Sequence, residues 1–160
     1  MPSRIAKNLE ANKIILPVSQ KSIGLYSPYR ISGNLLFISG QLPIEDGKIM
    51  NKKIPHKTEE LEIISLKSAA KLCMLNVISQ ANHALELNLD RVVSIPKVNI
   101  YLALDQNSNF EKHADIANVA SQLLKDVFED KGLHSRSTIG CCSLPLNASV
   151  EIDAIIEILS

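Results

Sequence analysis

Along the chain, hydrophobic and polar positions change period several times, and each change marks an element. Arg4 to Glu10 has the spacing of a short amphipathic helix, followed by the apolar Ile14-Ile15-Leu16 and a stop at Pro17. A stretch containing Ser, Gly and Pro then leads to Pro28, so residues 1–28 read as an N-terminal arm packed on the domain. Tyr29 to Ile31 and Leu35 to Ser39 read as two strands joined by a tight turn at Ser32-Gly33-Asn34. Leu42 to Lys57 has loop composition, with Pro43, Pro55 and a turn at Asp46-Gly47.

Thr58 with Glu59 and Glu60 has the character of a helix start, because a hydroxyl caps free N–H groups and carboxylates suit the positive end of the helix. The helix is predicted to run to about Leu87, with Leu61, Ile64, Ser68, Leu72, Leu75 and Ile78 on one side. Arg91 to Leu104 has strand periodicity: Val98, Ile100 and Leu102 lie on one face, Lys97, Asn99 and Tyr101 on the other. Pro96 marks an edge or a bulge near its start, since proline has no N–H for the ladder. Asn107-Ser108-Asn109 opens a second helix with the stripe Ile116, Val119, Ala120, Leu123, Leu124 and Val127, ended at Lys131-Gly132. Ser137 to Cys142 and Val150 to Ile158 are the closing strands, and the second alternates cleanly. The order β-β-α-β-α-β-β predicts an α+β domain over 1–160, a mixed sheet with two helices packed on one face.

The 160 residues suit one domain, and 46% hydrophobic residues support a core. Seventeen basic and seventeen acidic residues cancel, which removes any global attraction to nucleic acid. No tryptophan and 4% aromatics leave little for base stacking, so nucleic-acid partners are not expected. No apolar run reaches the roughly 18 residues of a membrane span, and Met1 to Gln20 lacks the apolar stretch of a signal peptide. A cytoplasmic protein without membrane association is the expectation. Cys73, Cys141 and Cys142 fit buried reduced thiols better than a disulfide framework. His56, His83, His113 and His134 show no metal-ligand spacing, so no metal or other cofactor is expected. Phosphate-binding loops and nucleophile elbows have no match. Cys141 or Cys142 with His134 is a conceivable nucleophile and base, although adjacent cysteines at a strand end more often pack.

Charge among apolar strand residues is more informative. Arg136 stands just before Ser137-Thr138-Ile139, and Glu151 begins the last strand on its polar face. If these strands pair as a hairpin, Arg136 and Glu151 meet at one end of the sheet. A plain ion pair, worth about 0–1 kcal/mol when exposed, is the structural alternative.

Two blocks, Gly33-Asn34-Leu35-Leu36-Phe37-Ile38-Ser39-Gly40-Gln41-Leu42-Pro43 and Arg136-Ser137 followed by Leu144-Pro145 and Val150-Glu151-Ile152-Asp153-Ala154, resemble the Rid superfamily of YjgF/RidA-like proteins. The longer arm and the 44–57 loop resemble a branch distinct from its shortest members. The resemblance implies a chorismate-mutase-like fold, a homotrimer with clefts between subunits, and hydrolytic deamination of enamines and imines such as 2-aminoacrylate to 2-keto acids and ammonia. It implies that Arg136 binds the substrate carboxylate and that Glu151 lies near the attacking water. Ser39 and Gly40 then line the cleft, Thr138 stands where close relatives often carry Cys, and Tyr26, or its local competitor Tyr29, reaches the cleft. The helix around Asn118 receives no role. A non-catalytic module binding small carboxylates or keto acids is the alternative, and endoribonuclease activity a weaker one.

Overall fold

The computed structural model describes residues 3–50, 60–105 and 109–159. A short helix, α1 (Arg4–Ala11), opens the arm, with the Ser3 hydroxyl accepting from the Ala6 N–H at its N-terminus. The arm is held at several points. Asp90 accepts from the Ile5 N–H, the Asn8 amide donates to the Val127 carbonyl at 3.0 Å, and Arg4 pairs with Glu129. Further along, Ser79 and Gln80 donate to the carbonyls of Pro17 and Gln20, which lays the arm across the next helix.

Strands β1 (Tyr29–Ser32) and β2 (Leu35–Gln41) form the expected hairpin, in which Ser32 faces Leu35 and Gly33 takes φ 58°. The stretch after it is more ordered than its loop composition suggests. β3 (Ile44–Glu45) and β4 (Lys48–Ile49) form a small hairpin about Asp46-Gly47, both at positive φ, as a type I′ turn requires. Thr58, the expected helix cap, lies outside the described residues, as do Asn107 and Ser108.

Helix α2 (Glu60–Ala84) stops three residues before the expected Leu87, because Glu86 and Leu87 both adopt positive φ. Its inner face also differs from the expected stripe: Leu61 and Ile64 are 77% and 54% exposed, whereas Leu66, Ala69, Ala70, Cys73, Met74 and Val77 are buried. The helix packs against the sheet, the neighbouring helix and the arm, so apolar residues run around most of it and periodicity gives little phase information. Strand β5 (Val92–Ala103) follows. In α3 (His113–Phe128) the expected stripe holds except at Val119, which is half-buried: Ile116, Ala120, Leu123, Leu124 and Val127 are buried. β6 (Ser135–Cys141) begins earlier than expected and so contains Arg136, and β7 (Val150–Ile158) matches the clean alternation.

The main sheet has the order β1-β2-β7-β5-β6. β7 is antiparallel to β2 and β5, while β6 lies parallel to β5 after the α3 crossover. Since β5 stands between β6 and β7, the closing strands do not form a hairpin. That expectation came from their closeness in sequence, and β7 instead inserts between β2 and β5. β5 is interior, and the register shift between Ser94 and Lys97 makes Pro96 part of a bulge. Leu36, Ile38, Val98, Ile100, Leu102, Ile152, Ala154 and Ile156 share the face covered by α2 and α3. Each fully buried large aliphatic side chain there contributes roughly 1.5–3 kcal/mol. Among the described residues no helix is long and apolar enough to cross a membrane.

Gly132, at the end of α3, is buried, and a β-carbon there would fall on the Leu124 carbonyl, 2.6 Å from its carbon. The atoms it would meet are all backbone, of the Leu124–Lys125 peptide, which leaves no flexible group to yield. Gly132→Ala is therefore expected to destabilise the protein by about 1–3 kcal/mol, read as a lower urea midpoint; an unchanged midpoint would refute this tight packing.

Candidate functional site

The β2–β7 register slips between Ile38 and Gln41, so Ser39 and Gly40 occupy a bulge beside Glu151. The missing side chain of Gly40 makes room for the Glu151 carboxyl: a β-carbon on Gly40 would collide with that carboxyl. Ser39 spends its hydroxyl on the arm, donating to the Ser27 carbonyl at 2.7 Å, while its N–H donates to the Pro28 carbonyl. These bonds hold Tyr26 near the bulge. Tyr26, Gly40 and Glu151 line one concavity of about 60 Å³, together with Gln20, Lys21 and Asn76. Tyr29 instead lies in β1 opposite Ile38, with its ring edge-on to His83. Of the two candidate tyrosines, Tyr26 is the one gathered with Gly40 and Glu151.

Asn76 was not legible as a site residue, because an asparagine in an apolar helix has no distinctive pattern. Its amide donates to the carbonyls of Leu42 and Ile44, both at 2.9 Å, and so shapes one wall.

Burial raises the Glu151 carboxyl above the ordinary carboxylate range, and the charge of Asp153 adds to the rise. Tyr101, opposite Glu151 in register, is also raised, first by burial and then by Asp153. Asp153 itself accepts from the Asn99 amide at 2.8 Å. A raised folded-state pKa means that the native protein binds this proton more tightly than the unfolded chain does. The resulting stabilisation is complete below the ordinary carboxylate range and is lost as pH rises through the raised value. Glu151→Gln is thus expected to gain stability relative to wild type between acidic and neutral pH. Thermal unfolding of both proteins across that range tests the sign; a wild type gaining on the variant would contradict it.

Arg136 belongs to a different concavity. In register it faces Val98, which faces Ala154, and these are positions under the helices. Glu151 faces Tyr101, on the opposite side of the sheet. Within one chain, therefore, Arg136 and Glu151 are not brought together. Arg136 Nη1 donates to Ser121 Oγ at 2.8 Å and to Asn118 Oδ1 at 3.1 Å, both on α3. The surrounding hollow, about 380 Å³, also presents Lys125 and His134. Both partners are neutral oxygens, so the expected ion pair with Glu151 is absent and the guanidinium charge is uncompensated among the described residues.

Thr138 follows on the same face as Arg136, and its buried hydroxyl has no partner. Asn118 and Ser121 were missed by sequence reasoning. Their signal is faint: two polar residues three apart beside the apolar stripe of α3, with nothing local to show that they face Arg136 of the following strand.

The cysteines do not form a site with His134, which bonds to Ser121 before β6, whereas Cys141 ends that strand. Only Cys73 is fully buried; Cys142 is exposed, correcting the expectation of buried thiols at all three positions. Among the described residues no group of three potential metal ligands occurs.

Residues 6–158 match the family model described as "YjgF/chorismate_mutase-like, putative endoribonuclease". The chain is 36% identical to Protein TCP17 of Trypanosoma cruzi, an alignment covering 97% of this chain and 94% of that protein. It is 28% identical to a 2-iminobutanoate/2-iminopropanoate deaminase of Dermatophagoides farinae, covering 91% and 94% of the two chains. The crystal structure of Atu1372 from Agrobacterium tumefaciens, a protein of unknown function, is 38% identical and superposes with a TM-score of 0.85 over 97% of this chain and 92% of that one. With the five-stranded mixed sheet, its two covering helices and this match over nearly the full length, the chain belongs to the YjgF/chorismate-mutase-like, or Rid, family.

Proposed function

We infer that the protein hydrolyses small imines bearing a carboxylate, such as 2-iminopropanoate, the imine tautomer of the enamine 2-aminoacrylate, to 2-keto acids and ammonia. The observation that carries this reading is Arg136, a guanidinium held by two neutral oxygens and lacking a carboxylate partner among the described residues. A planar fork of donors in that state is suited to a planar carboxylate, which it grips at two points. The name of the mite relative, a deaminase of 2-iminobutanoate and 2-iminopropanoate, supports the substrate class.

Glu151 supplies the proton chemistry. With its pKa raised by burial, more of its carboxyl remains protonated toward neutral pH, and that proton passes to the imine nitrogen. Water adds to the imine carbon and gives its proton to the resulting carboxylate. Glu151 gives this proton to the carbinolamine nitrogen and takes the hydroxyl proton in return as the carbon–nitrogen bond breaks, so that ammonia departs and the carbonyl of the 2-keto acid forms. No protein nucleophile is needed. Tyr26 and Gly40 border the place where the imine lies, and the Thr138 hydroxyl is a hydrogen-bonding group on the Arg136 side.

Since Arg136 and Glu151 face opposite sides of one sheet, the proposed site is shared: Arg136 and Thr138 come from one subunit, Tyr26, Gly40 and Glu151 from the next. A closed ring, the homotrimer, satisfies every half-site equally. Light scattering is expected to give three times the chain mass of 17.6 kDa; a monomer that still hydrolysed imines would overturn the shared site.

The deciding assay follows the decay of enzymatically generated 2-aminoacrylate/iminopyruvate. Acceleration by the protein supports deamination. Binding of a 2-keto acid without acceleration would instead favour the carboxylate-binding module. A ribonuclease reading lacks converging acid and base groups among the described residues: His83 meets Tyr29, His113 meets Phe110 and His134 meets Ser121.

A further inference from the structure

A chain of hydrogen bonds leads away from Arg136 and has no role in the hydrolysis itself. His134 Nδ1 lies 2.7 Å from the Gly132 carbonyl, and His134 Nε2 lies 2.9 Å from Ser121 Oγ. A carbonyl can only accept, so Nδ1 carries a proton. In a neutral imidazole, Nε2 is then a bare acceptor, and the Ser121 hydroxyl must donate to it. This turns the lone pairs of Ser121 Oγ toward Arg136 Nη1, 2.8 Å away. Nη1 has two hydrogens. One goes to Ser121 and the other to Asn118.

We propose that Ser121 and His134 are positioning residues for Arg136, fixing Nη1 on α3 so that the guanidinium offers its Nε–Nη2 edge to the substrate carboxylate. An arginine can bind a carboxylate end-on through Nη1 and Nη2 or side-on through Nε and Nη2. With both Nη1 hydrogens committed, only the side-on edge retains two parallel donors. The Ser121–His134 bond also removes the hydroxyl's rotational choice, since a serine free to turn could point its proton at the guanidinium. His134 is in turn held by the Gly132 carbonyl, where α3 gives way to β6, so the order of the backbone there is passed to the guanidinium. This inference rests on the reading of Arg136 as the carboxylate holder.

The test uses the full-length protein with Ser121→Ala, Ser121→Thr and His134→Asn. His134→Asn retains a donor near the Gly132 carbonyl but loses the reach to Ser121. Imine hydrolysis gives KM and kcat, and pyruvate binding followed by NMR gives affinity without turnover. Ser121→Ala and His134→Asn are expected to raise KM and weaken pyruvate binding about tenfold, as expected for a misdirected charge-assisted contact. The change in kcat should be much smaller, and Ser121→Thr, which retains the hydroxyl, should recover most of the affinity. A merely structural role would lower the amount of folded protein without splitting KM from kcat.

If Arg136→Ala abolishes pyruvate binding while Ser121→Ala and His134→Asn bind as wild type does, the positioning role is overturned and the carboxylate reading stands. If wild type and Arg136→Ala behave alike toward both imine and pyruvate, the carboxylate reading fails and the inference falls with it.

Discussion

Arg136→Ala is expected to lower kcat/KM for imine hydrolysis by roughly ten- to hundredfold from the lost carboxylate contact alone, with further loss from misorientation of the imine. Stability should change little. Among the described residues Arg136 bonds to Asn118 and Ser121, on a half-buried stretch of the edge strand β6. Removing a cation that has no anionic partner leaves no buried charge behind. Melting temperature and particle mass measured beside activity distinguish the two outcomes: a folded, fully assembled but inactive variant supports a binding role, whereas unfolding would identify Arg136 as a structural residue. Arg136→Lys should restore only a small part, since an ammonium cannot grip a carboxylate at two fixed points.

Gly40→Ala should do nearly as much damage with a single methyl group. The added β-carbon falls where the Glu151 carboxyl lies, and the end of a glutamate side chain is flexible enough to move away. The fold therefore survives while the acid is displaced from Tyr26 and the mouth of the concavity. The expected result is a fall in kcat of about a hundredfold, the scale of a lost general acid. Glu151→Gln should show a similar fall. The double variant should be no worse than either single one, because both remove the same group. A fully active Gly40→Ala would show that the carboxyl need not occupy that position. In stability the two single changes differ: Glu151→Gln gains at neutral pH because it removes an ionisable group that burial penalises.

Elements whose two sides face different surroundings were legible along the chain. β7 alternates because one face meets the helices, and the stripe of α3 is legible because that helix keeps an exposed polar side, with Asn118, Gln122 and Lys125. The turns at Gly33-Asn34 and Asp46-Gly47 were recognisable because few residues tolerate positive φ. For α2 the same reasoning assigned Leu61 and Ile64 to the inside, where neither lies, since a helix covered on several sides has no single apolar stripe. Two-residue strands such as β3 and β4 are too short for any period to register.

By itself the sequence determined the kinds and order of the main elements, the α+β class and the two motif blocks that carry Arg136 and Glu151, because each depends on neighbours a few positions away. Only the tertiary structure decided that β7 inserts between β2 and β5, which turns a presumed hairpin into separated strands and assigns Arg136 and Glu151 to opposite faces. It likewise chose Tyr26 over Tyr29 beside Glu151 and joined Ser121 and His134 to Arg136. Strand order, the bulge at Ser39-Gly40 and the crossing of α3 over β6 arise from packing the whole chain around one core, and pairing across such distances leaves no local period to read.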